Sequence, residues 1–129
     1  SWRVLEERTC EFATVNPQRQ GLEARHAWMA VAERERGNDP LQAIEKLDLA
    51  SGERRLWSAA PRGFVSEPVM VPRPGASAED DGWVLCLVWN GARGASDLVI
   101  LAAADLAEVA VLELPLAIPH GLHGSWVGR

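Results

Sequence analysis

The feature that most limits how this chain can fold is a rhythm of short apolar runs. Each run is about strand length, and turn chemistry cuts it off before a long helix could form. Residues 26–32 (HAWMAVA) are apolar and aromatic, and the charged Glu33-Arg34-Glu35-Arg36 with Gly37-Asn38-Asp39-Pro40 follows as a solvated hairpin tip. Residues 43–49 (AIEKLDL), the turn Ala50-Ser51-Gly52 and residues 53–57 (ERRLW) continue a β-meander. Then come 67–72 (EPVMVP), an acidic loop at 73–82, and the wholly apolar run 83–89 (WVLCLVW). Residues 97–101 (DLVIL) and the alternating 108–115 (EVAVLELP), where a bulge is expected, complete the set. Residues 102–106 suit a helical turn between them. The expectation is an all-β unit of about eight strands in two four-stranded antiparallel sheets, either neighbouring propeller blades or a sandwich. The runs 83–89 and 98–101 lack alternation, so both faces of each are expected to be buried.

The 129 residues are 47% apolar and 24% charged, which suits a globular unit. Ser1-Trp2-Arg3-Val4 opens straight into a strand-like pattern, as in a piece of a longer protein. A net charge of −5 with scattered arginines argues against nucleic acid as a partner. No run approaches the roughly 20 apolar residues of a membrane-spanning helix. Cys10 and Cys86 lie far apart and outside any metal spacing, so they are expected to be reduced, buried thiols of a cytoplasmic protein. The six tryptophans are expected in the core.

Phosphate-binding loops, nucleophile elbows and helical zinc motifs are all missing. The metal-ligating types that cluster are His120 and His123, in a glycine-punctuated loop. On spacing alone such a pair is more often two surface imidazoles than a site.

Three segments change that. They are Cys10-Glu11-Phe12-Ala13-Thr14-Val15-Asn16-Pro17; Ser66-Glu67-Pro68-Val69-Met70-Val71-Pro72-Arg73-Pro74 with Glu79-Asp80-Asp81-Gly82-Trp83; and Ile118-Pro119-His120-Gly121-Leu122-His123-Gly124-Ser125-Trp126. In order and spacing they resemble the C-terminal signature of the carotenoid oxygenases, which include apocarotenoid and stilbene cleavage enzymes and a retinoid isomerase. Ala13 stands where the family pattern has Pro, and Leu122 where it has an aromatic.

The resemblance implies a fold and a chemistry. Residues 1–129 would be the last blades of a seven-bladed β-propeller, with the rest of the propeller as their structural partner. Iron(II) would sit on the propeller axis, held by four histidines. His123 matches one of those ligands. Glu11 and Glu67 match carboxylates that accept the far N–H of ligating histidines, fixing tautomer and orientation and raising basicity. The implied activity is cleavage by O2 of a conjugated double bond in a hydrophobic polyene or stilbene-like substrate, with isomerisation the other chemistry of the family. His120 and His26 are expected to be surface and packing residues. Any peripheral membrane contact is expected outside these 129 residues. A different class of function, a non-catalytic propeller remnant serving as an interaction module, fits the same strand pattern.

Overall fold

Nine β-strands build the part of the chain that the structure, a computed structural model, describes: residues 3–128. Ser1 and Trp2, half of the opening read as strand-like, lie outside it. The strands are β1 (Cys10–Val15), β2 (His26–Ala32), β3 (Leu41–Asp48), β4 (Arg54–Ser58), β5 (Gly63–Val65), β6 (Val69–Pro72), β7 (Gly82–Asn90), β8 (Ala95–Ala102) and β9 (Glu108–Glu113). Among the described residues the sole helical element is a 3-10 turn at Pro17–Arg19. The all-β expectation therefore holds.

All pairings are antiparallel. The first sheet is a meander in the order β1-β2-β3-β4. The second runs β5-β7-β8-β9, with β6 also on β7. β5 and β6 lie end to end along β7, with Val65 opposite Val88 and Val69 opposite Leu85. They act as one interrupted strand, so each sheet is effectively a four-stranded blade.

The sheets pack face to face. Trp28, Ala30 and Ile44 of the first meet Met70, Val84, Cys86, Val88, Val99 and Leu101 of the second. The Trp28 indole N–H donates to the Ala103 carbonyl at 3.1 Å, so this large ring is buried without an orphaned donor. The motif Glu79-Asp80-Asp81 ties the second sheet to the first. The Glu79 carboxylate accepts the backbone N–H groups of Arg25 and His26 at 2.8–3.1 Å. Asp80 accepts from Lys46 Nζ at 2.5 Å, and Lys46 also donates to the Ala104 carbonyl. Asp81 takes the Arg73 Nε–H at 2.8 Å, while the Arg73 guanidinium stacks on Trp83. At Gly82 an added Cβ would lie 2.2 Å from the Val71 carbonyl oxygen, so a side chain there would force the β6–β7 ladder apart.

Several expectations need correction. Along β7 burial alternates: Val84, Cys86 and Val88 are buried, whereas Trp83, Leu85, Leu87 and Trp89 are half-open. β8 alternates likewise from Leu98 onward. The most enclosed strands are β2 and β3 instead, because both their faces are covered. One face meets the second sheet. The other carries Met29, Val31, Ala43 and Leu47, and Arg54 there reaches Glu6 and the Leu5 carbonyl of the N-terminal segment. Cys86 is buried, but Cys10 is exposed, because it starts the edge strand β1. Trp28 is the one fully buried tryptophan among the described residues; Trp126 is 59% exposed. Between β8 and β9 residues 103–105 form a single turn closed by the Leu106 N–H donating to the Ala102 carbonyl, with no helix beyond it.

Candidate metal-ligand site

Glu67 owes its position to a fault in the ladder. Between the pairs Val65–Val88 and Val69–Leu85, the three residues Ser66, Glu67 and Pro68 face only Cys86 and Leu87. One strand therefore carries an extra residue, which is a bulge. Ser66 keeps the ladder by donating its N–H and hydroxyl to the Leu87 carbonyl. Pro68 has no N–H to donate and is buried. Glu67 is the residue left to project.

The C-terminal loop brings His123 to it. Nδ1 of His123 lies 3.1 Å from Glu67 Oε1, and the Gly124 N–H donates to Oε2 at 2.5 Å. One carboxylate thus grips both the ring and the backbone of the following residue. The Nδ1–H tautomer of His123 donates to this carboxylate and leaves the Nε2 lone pair free. The His123 side chain is 79% exposed. Phe12 meets the ring edge-on, with centroids 6.1 Å apart and planes at 90°. An apolar cleft of ≈ 320 Å³ adjoins the pair, lined by Leu85, Leu87, Leu98, Ile118, Leu122 and Trp126.

Glu11 stands at a matching fault in the first strand of the other blade. It pairs with Ala30, and the register breaks between Glu11 and Thr14. Its side chain is exposed and makes no hydrogen bond among the described residues, so the structure does not bring it to His123. His120 is exposed, as expected. His26 is partly buried against Trp28, with Nε2 3.6 Å from Asp80.

Phe12 and the Gly124 N–H were not singled out from the sequence. Phe12 had a usable signal, since it lies inside the first family segment beside Glu11. A backbone donor carries no such signal.

His123 offers one neutral imidazole with its tautomer fixed, which fits one coordination position of a borderline metal such as iron(II). Among the described residues no group of three or more His, Cys, Asp or Glu could hold a metal ion. The remaining ligands would have to come from elsewhere.

A family model described as retinal pigment epithelial membrane protein matches residues 1–128. Apocarotenoid-15,15'-oxygenase from Synechocystis is 49% identical over 126 residues, covering 96% of this chain and 26% of that protein. Lignostilbene-alpha,beta-dioxygenase isozyme III of Sphingomonas paucimobilis is 35% identical, with 90% of this chain and 26% of that one covered. A crystal structure of cobalt-substituted Synechocystis apocarotenoid oxygenase superposes with a TM-score of 0.95 at 48% identity, over 98% of this chain and 27% of that one. The chain thus spans about a quarter of the length of these relatives.

Proposed function

Because the chain belongs to the retinal pigment epithelial membrane protein family, the carotenoid oxygenases, we propose that it is the C-terminal portion of an iron(II)-dependent enzyme that cleaves a conjugated double bond with O2. The substrate class is a hydrophobic carotenoid, apocarotenoid or stilbene-like molecule, on which the similar proteins act by name. The observation that carries the reading is the Glu67 carboxylate joined to His123 Nδ1, with the rest of the ring open.

His123 supplies one neutral ligand through Nε2. Glu67 holds the proton on Nδ1, keeps the ring from adopting the other tautomer and adds negative charge behind a cation that neutral imidazoles do not offset. Glu11 would accept the far N–H of a histidine outside these 129 residues. Iron(II), when bound, supplies the redox chemistry by which both oxygen atoms of O2 enter the cleaved bond, giving two carbonyl products. The apolar cleft beside His123 offers a surface on which the hydrophobic part of such a substrate would lie. The 129 residues alone supply too few ligands for catalysis.

The test is product analysis. The whole protein, loaded with iron(II) and shaken in air with an apocarotenal or a hydroxystilbene, should yield aldehydes, and His123→Ala should not. Equal turnover by the variant, or no cleavage of either substrate class by the loaded protein, would overturn the proposal.

A further inference from the structure

We propose that Phe12 is a positioning residue for His123, fixing the tilt of the ring that Glu67 holds at a single atom; this rests on the reading of His123 as an iron ligand. A hydrogen bond to Nδ1 sets the tautomer but leaves the imidazole free to rock about that contact. Little else restrains it, because 79% of the side chain is exposed. The edge contact with Phe12, at 6.1 Å and 90°, supplies a second point. That geometry is the favourable one for two aromatic rings.

The backbone is arranged to deliver this contact. Phe12 has φ 58, in the left-handed region that bulky residues seldom adopt. It sits in the β1 bulge, between the paired residues Glu11 and Thr14. The ring does not swing free, because it also packs on the buried cluster between the sheets, which includes Trp28, Val84 and Leu101. A rigid ring is therefore anchored in the core at one end and set against His123 at the other. Two of the ladder faults, one from each sheet, converge on the same imidazole: one presents Glu67, the other Phe12. A conformation uncommon for phenylalanine is the kind of local irregularity that persists where surrounding structure demands it.

The experiment is a cobalt(II) titration of the whole protein, with the ligand-field absorption spectrum recorded alongside affinity. Phe12→Leu and Phe12→Met keep apolar volume but remove the ring. Either variant that folds, judged by its melting curve, should bind cobalt about 2- to 10-fold more weakly, the range that one aromatic pair gives. Its absorption bands should also shift or broaden, because the ligand angle is no longer fixed. Phe12→Tyr should restore both. Wild-type affinity and spectrum in a folded Leu or Met variant would overturn the proposal, as would failure of Tyr to rescue. His123→Ala separates the underlying reading: if it binds cobalt like wild type, His123 is not a ligand, whatever Phe12 does.

Discussion

Glu67 holds His123 with one carboxylate oxygen and the N–H of the next residue, Gly124, with the other. This double grip makes the usual isosteric substitution informative. A carboxylate can accept both N–H groups, whereas an amide has one acceptor and one donor end. Glu67→Gln must therefore set its NH2 against either Nδ1–H or the Gly124 N–H. We expect iron affinity to fall about 10–100-fold, the usual range for losing such a partner, with the melting temperature nearly unchanged. Equilibrium dialysis against a competing chelator measures the affinity. Unchanged affinity would remove Glu67 from the site.

Gly82 is required by close approach. A Cβ there would meet the Val71 carbonyl oxygen at 2.2 Å and the Pro72 Cα at 2.9 Å. Both are backbone atoms of the paired strand, so neither can move aside cheaply. Gly82→Ala should cost about 3 kcal/mol, the upper end for overpacking. Urea denaturation of the whole protein would show this as a lower midpoint.

Acid should weaken two carboxylate contacts, one of Asp48 at the end of the first sheet and one of Asp80 between the sheets. The N–H of Ser51 and then the Arg25 guanidinium hold the Asp48 carboxyl well below the usual range, against the effect of burial. For Asp80, burial pushes upward, but the Lys46 ammonium outweighs it and the carboxyl is held low. Both groups bind protons more readily when unfolded, so their contribution is complete above about pH 4 and fades as pH falls through the folded values. Glu45 opposes this, because its burial raises its pKa and favours the protonated form in the folded state. Denaturation midpoints measured from pH 7 to pH 3 should drop below about pH 4. The double variant Asp48→Asn, Asp80→Asn should be less stable at pH 7 and show a flatter profile.

The isolated 129 residues should not behave as a well-folded monomer. The half-open Trp83, Leu85, Leu87 and Trp89 row, with exposed Val109 and Leu112 on the edge strand β9, offers apolar surface of the kind that associates. Light scattering should report a mass above 14.1 kDa or a broad, aggregating distribution. A sharp monomer peak with cooperative melting would contradict this.

The strand rhythm was legible because turns interrupt it, and the meander of β2, β3 and β4 could be read directly from residues 26–57. Burial was less legible. In residues 83–89 both alternate phases are apolar, so the sequence could not reveal that the Trp83–Leu85 phase is half-open while the Val84–Cys86 phase is sealed. In β3 three charged residues, Glu45, Lys46 and Asp48, are buried, which residue type alone does not indicate. Lys46 finds partners across the fold in Asp80 and the Ala104 carbonyl, and Asp48 pairs with Arg25 beside the neighbouring strand. Among the described residues neither Glu45 carboxylate oxygen has a hydrogen-bond partner. At the site, Glu67 and His123 were found through family segments, because a ladder fault of one residue leaves no periodic trace. Phe12 is visible as a member of the first family segment, but its left-handed backbone, which sets the ring against His123, cannot be foreseen from residue preference.

The central claim is that His123, held by Glu67, ligates iron in the whole protein. Metal content per chain in wild type and His123→Ala, after loading with iron(II) and removal of free metal, tests it most directly. The account predicts about one iron per wild-type chain and a loss of about 10-fold or more in the variant, since one direct ligand is gone. Full iron occupancy in a folded His123→Ala protein would contradict it.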